Sequence, residues 1–150
     1  MLIKKISIIF FILIVLMVLF IGDFEEVEEE QLPPEGSSAE GTKLETGKEI
    51  DEESNEIVEV ETGFKPNEDF YFSFLNDEPF DEEEVRVKLL DTSTGDVLAE
   101  EDYGEELEPE TKIVYDQIWF GDPGRYKIVV EVGGEERAWQ EVIIEKEEEE

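Results

Sequence analysis

The hydrophobic pattern changes character twice along the chain. From Ile6 to Ile21 sixteen residues run without a charge and with one hydroxyl, Ser7, directly after Lys4 and Lys5. As a helix this run spans ~24 Å at ~1.5 Å per residue. Apolar Met1, Leu2 and Ile3 and two snorkelling lysines extend it towards the ~30 Å of a bilayer core. The run is apolar on every face, which a helix of a soluble domain avoids. From Asp23 to Asn55 apolar residues are sparse and aperiodic, and Pro33-Pro34 lies among glutamates. Such a stretch buries too little surface to offset its ordering entropy. The expectation is therefore a segment 1–22 suited to a membrane, a disordered acidic linker 23–55, a folded domain 56–145 and a solvated acidic tail 146–150.

Within 56–145 the apolar residues alternate in short stretches separated by turn residues, as in an all-β sandwich. Ile57, Val58 and Val60 predict a first strand ending at Thr62-Gly63. Phe70, Phe72 and Phe74 share one face of the next by the two-residue period. Val85, Val87 and Leu89 form the inward row of a third strand. Asp91 to Asp96 then turns the chain back into the short strand Val97-Leu98-Ala99. After an acidic loop, Glu100 to Glu110, a strand runs from Lys112 to Phe120. Tyr126, Ile128, Val130 and Val132 alternate in the next. Gly133-Gly134 suits a tight hairpin into the last strand, Arg137 to Glu145. The count is about seven antiparallel strands in roughly ninety residues, with no helical period after residue 22.

Asp122-Pro123-Gly124-Arg125-Tyr126 resembles the Asp-x-Gly-x-Tyr entry into the penultimate strand of immunoglobulin-like domains. Phe64-x-Pro66-x-Glu68 before an aromatic strand is similar to the early strand pair of microbial surface domains of that type. The chain has no cysteine, so the resemblance is to the cysteine-free microbial immunoglobulin-like sandwiches. It implies an immunoglobulin-like fold in which the Tyr126 hydroxyl bonds upstream backbone. A narrower likeness links Leu107-Glu108-Pro109-Glu110, Trp119 and Pro123-Gly124-Arg125-Tyr126 to the closing half of the BsuPI-type proteinase inhibitor domain. In that family a glycine stands where this chain has Glu110.

Charge orients the molecule. Lysines before the apolar run and acidic residues after it predict an N-terminus in the cytoplasm and the rest outside. A cleavable signal requires small residues at the first and third positions before the cut; after Gly22 the third would be Phe20. The expectation is an uncleaved single-pass anchor, with a cleaved signal as its competitor. The formal charge is −32, and without Lys4 and Lys5 the exported part carries −34. That surface repels nucleic acid and anionic lipid headgroups. Histidine is absent, which removes the usual proton shuttle and the imidazole of hydrolase triads.

Candidate chemistry is sparse. Asp91, Ser93, Asp96 and Asp102 partly imitate a calcium loop, with oxygen ligands for a hard cation. The glycine of such a loop is one residue early, at Gly95, so a plain hairpin turn competes. Acidic clusters such as Asp81 to Glu84 suit loose calcium binding at extracellular concentrations. Tyr115, Trp119 and Trp139 are the candidates for a binding face. Between Ile113 and Phe120 one row (Ile113, Tyr115, Gln117, Trp119) and the other (Val114, Ile118, Phe120) compete for the core. Large aromatics ordinarily take the interior, whereas an exposed Tyr-Trp row suits a protein or sugar surface. The expectation is a membrane-anchored, non-catalytic extracytoplasmic module with a protein partner at the cell surface and no obligate cofactor. A proteinase-inhibitor-like or carbohydrate-binding sandwich is the alternative.

Overall fold

Alternating aromatic and aliphatic rows build two antiparallel sheets that face one another across the core. The computed structural model describes residues 33–80, 83–103, 107, 108 and 110–147. The proposed anchor, residues 1–22, lies outside them, as do Asp81, Glu82 and the end of the tail. Among the described residues no helix is long and apolar enough to cross a membrane.

Among the described residues nine strands occur in chain order: β1 (Gly36–Ser38), β2 (Thr42–Gly47), β3 (Gly63–Phe64), β4 (Phe70–Asn76), β5 (Val85–Asp91), β6 (Val97–Asp102), β7 (Ile113–Ile118), β8 (Gly124–Val132) and β9 (Glu135–Ile144). One sheet has the order β1-β9-β8-β5-β6, with β3 added in parallel to β9; the other is β2-β4-β7. The inward rows predicted for β4, β5 and β8 are the core: Phe70, Phe72, Phe74, Val85, Val87, Leu89, Tyr126, Ile128 and Val130 are all buried. Gly133 and Gly134 both hold positive φ, 60° and 83°, the conformation a two-residue hairpin demands and side chains resist.

The aromatic residues divide between the two ends of the sandwich. At one end Phe64 stacks on Phe70 at 3.9 Å, and Phe120 stacks on Tyr126 at 4.1 Å. There the Tyr126 hydroxyl donates to the Asp122 carbonyl at 2.9 Å, pinning the corner between β7 and β8. Phe74 and Phe80 meet nearer the other end, at 6.1 Å.

Two expectations about strand placement differ from the structure. The stretch 23–55 was expected to be unstructured, yet β1 and β2 fall inside it. β2 pairs with β4 along all six of its residues, burying Leu44, Thr46 and Gly47. A single apolar side chain, Leu44, enters the core from β2; backbone pairing and the small Thr46 and Gly47 complete the fit, so hydropathy carried little signal. Conversely Ile57, Val58 and Val60 form no strand. Ile57 makes one isolated bridge with Ile50, while Val58 and Val60 are exposed. This segment folds over the outside of the smaller sheet, where Ser73 Oγ donates to the Asn55 carbonyl at 3.0 Å. The Ile57 side chain packs so closely on Gly47 that a β-carbon there would lie 2.6 Å from it.

Candidate binding face

On β7 the competition between the two rows is decided by the partner sheet. Val114 and Ile118, with Phe120 just beyond the strand, are buried at 5% exposure or less. The opposite row therefore points outward, with Tyr115 at 44% exposed and Ile113, Gln117 and Trp119 half-buried. The preference of large aromatics for the interior fails here because Phe120 and the β4 phenylalanines already fill it. Among the described residues β7 is an edge strand that pairs only with β4, Tyr115 lying opposite Ser73 and Gln117 opposite Tyr71. The 48–61 segment covers the β2 side of this outer face, leaving Tyr115 in solvent.

Trp139 lies elsewhere. It belongs to the outer row of β9, opposite Ser37 on β1 and Val129 on β8. The Lys127 ammonium sits 4.2 Å from its ring centroid, a cation–π contact of ~0.5–1 kcal/mol at an exposed site. A shallow groove beside it is lined by Ser37, Ser38, Glu136 and Arg137. The same face holds an ion-pair lattice in which Arg86 meets Glu84 and Glu100, Lys88 meets Glu131, and Arg125 meets Glu141. Arg125 also donates to the Pro33 carbonyl at 2.7 Å, tying the chain before β1 to the sheet. The three aromatic candidates thus form no common site: Tyr115 and Trp119 share the β7 row, and Trp139 stands on the other sheet.

The calcium-loop candidates are also separated. Asp91 caps its own turn, its Oδ1 accepting from the Ser93 amide at 2.8 Å and the Ser93 hydroxyl at 2.5 Å. Asp96 follows in that turn, its amide donating to Thr94 Oγ1. Asp102 pairs across from Arg86, at the far end of β5 from Asp91. Five residues of strand separate the two positions, about 16 Å at ~3.3 Å per residue. Asp91 to Asp96 is a hairpin turn, and among the described residues no group of three or more carboxylates is placed to hold a metal ion.

Between the sheets, at the open side between β6 and β7, Tyr103 acts as a cover. Its hydroxyl donates to Asp116 at 3.0 Å, and burial with the adjacent carboxylates raises its pKa. The space beneath, lined by Phe72, Leu89, Ala99 and Ile118, measures about 10 Å³. That is room for no more than a water.

No protein-family model matches this chain, and no curated protein matches it. Among solved structures it is similar to a crystal structure of the C-terminal domain of wzt, with 11% identity and a TM-score of 0.41 over 84% of this chain and 89% of that one. The sandwich is therefore assigned from its own strand pairing.

Proposed function

We propose that this chain is a membrane-anchored extracytoplasmic binding module. An immunoglobulin-like sandwich, carried on an acidic stalk, offers the outward β7 row to a protein partner at the cell surface. The observation that carries this reading is Tyr115, a large aromatic left 44% exposed on an edge strand whose inner row is fully packed. Tyrosine in that setting combines a large rigid contact area with a polar tip, the composition of interface anchors. β7 ends the order of the smaller sheet, and a strand edge is a second means of engaging a partner. The immunoglobulin-like reading is supported by the Tyr126 corner and by β3 lying parallel to the last strand. Location rests on the apolar run Ile6–Ile21 and its flanking charges.

Two experiments test the two halves of this reading. The absence of cysteine makes a Ser38→Cys variant uniquely labelled, and intact cells should expose it to a membrane-impermeant maleimide. Labelling only after lysis would place the domain inside and sink the proposal. Tyr115→Ala should leave the melting temperature nearly unchanged, as exposed substitutions do, while abolishing partner recovery from native membranes by crosslinking. Equal recovery would move the interface away from β7.

The inhibitor-like alternative has one observation in its favour. Glu110 holds φ 71°, a conformation natural to the glycine that the BsuPI-type domains carry there. The carbohydrate alternative rests on the groove beside Trp139, but Lys127 already occupies a face of that ring.

A further inference from the structure

The outward faces of the two sheets differ in kind. On the larger sheet Arg86, Lys88, Arg125, Glu131 and Glu141 pair with one another or with neighbouring carboxylates, an arrangement that suits water. On the smaller sheet the outward residues of β4 and β7 lie opposite one another, Leu75 with Ile113, Ser73 with Tyr115 and Tyr71 with Gln117. Trp119 continues the β7 row. None of these side chains carries a charge, in a chain of which 37% is charged. Tyr115 is exposed and its neighbours are half-buried, except Ser73, which is sealed beneath Asn55 and donates to its carbonyl. The 48–61 segment therefore walls this face on the β2 side. Acid marks both of its ends. Asp69 and Asp77 continue the two-residue spacing of Tyr71, Ser73 and Leu75, and both are exposed. Among the described residues neither pairs with a cation.

We infer that this neutral face takes an apolar segment of a partner protein, flanked on both sides by lysine or arginine. The inference rests on Tyr115 as an interface residue and adds the chemistry of what binds there. Size selects a linear segment. From Ile113 to Trp119 the row runs ~20 Å at ~3.3 Å per residue, and two strands ~4.8 Å apart make it ~10 Å wide. The resulting strip of roughly 200 Å² falls well short of the ~800 Å² per partner that stable globular interfaces bury. A second copy docked face to face would also bring its own Asp69 and Asp77 against these, in a chain of formal charge −32. A linear segment needs no more than the strip. Its central side chains meet Tyr115, Leu75 and Ile113, while the Tyr71 hydroxyl and the Gln117 amide offer hydrogen bonds. Asp69 and Asp77, eight residues apart, stand ~26 Å from one another along the strand direction, so two cations about eight extended residues apart reach both. Opposite charge at such a rim speeds encounter and fixes register.

Photo-crosslinking of the full chain in native membranes, with benzoylphenylalanine in place of Gln117, tests the assignment. The crosslinked segment, mapped by mass spectrometry, should have an apolar centre with lysine or arginine on both sides. The double variant Asp69→Asn/Asp77→Asn should melt at nearly the same temperature, as exposed substitutions do. It should lower the crosslink yield about fivefold, the order set by two solvent-exposed ion pairs. Raising sodium chloride from about 0.05 M to about 0.5 M should lower the yield to a similar extent by screening those pairs. A mapped segment that is acidic, or a crosslink to lipid or to a second copy of this chain, would overturn the inferred partner chemistry. A yield indifferent to Asp69 and Asp77 would do the same. In each of these cases the β7 interface stands if Tyr115→Ala, added to the crosslinking variant, abolishes the product. A product unchanged by Tyr115→Ala, or no product at all, would sink the interface and this inference together.

Discussion

Tyr126 and Asp122 form a pair in which one residue's backbone serves the other's side chain. The Tyr126 ring is 3% exposed and its hydroxyl reaches only the Asp122 carbonyl. Tyr126→Phe keeps the ring and its stacking on Phe120 while removing that bond. It should lower stability by about 1 kcal/mol, the usual net value of a hydrogen bond, measured by urea denaturation. The Asp122 side chain has the opposite character. It is 7% exposed, and burial raises its pKa from the ordinary aspartate value. An acid whose folded-state pKa is raised favours folding while protonated, below its unfolded value of ~3.9, and that contribution is lost as pH rises through the folded value. At pH 7 the buried carboxylate is therefore a burden. Asp122→Asn should raise the denaturation midpoint at neutral pH, with the gain shrinking towards pH 3; a gain constant with pH would mean the ionised group is not penalised.

At the scale of elements, β2 is the strand whose importance exceeds its hydropathy. It supplies a full edge to β4 and closes the smaller sheet beside Phe72 and Phe74. Thr46 is fully buried and its hydroxyl donates to the Glu61 carbonyl, linking β2 to the segment that crosses the outer face. Without β2 that sheet would be a two-stranded ribbon, which is marginal on its own. A fragment of residues 56–150 should show no cooperative thermal transition by circular dichroism, whereas a fragment of residues 33–150 should melt cooperatively. A cooperative melt of the shorter fragment would show that β2 is dispensable. The alternating strands were legible because β4, β5 and β8 each bury a row of large side chains at the two-residue period. β1, with three exposed residues Gly36, Ser37 and Ser38, buries nothing and leaves no such trace.

Across the whole molecule, charge is the dominant long-range force. A formal charge of −32 opposes compaction, and the surface ion pairs contribute little against it. Raising sodium chloride from roughly 0.01 M to about 1 M shortens the Debye length from ~30 Å to ~3 Å. The melting temperature of the chain should rise over that range, because relief of repulsion outweighs the weakening of pairs such as Lys43–Glu56 and Lys88–Glu131. A melting temperature indifferent to salt would place the repelling charges away from the fold.

Local pattern alone determined which side chains of a strand share a face, because the alternation of a pleated strand is a property of the backbone and needs no partner. It therefore specified the core rows of β4, β5 and β8 and the glycine hairpin, while the Tyr126 corner followed from the family resemblance of Asp122 to Tyr126. It also identified the apolar run from Ile6 to Ile21, whose chemistry depends on composition rather than packing. Tertiary structure decided what alternation leaves symmetric. On β7 either row was apolar enough for the interior, and the phenylalanines across the core determined that Val114 and Ile118 entered while Tyr115 stayed outside. Distances between loops were likewise beyond the sequence. Asp91 and Asp102, near in sequence, stand at opposite ends of a strand, while Asn76 and Glu135, fifty-nine residues apart, line one cavity. Sequence spacing measures distance along the chain, and strand pairing is what converts it into distance in space.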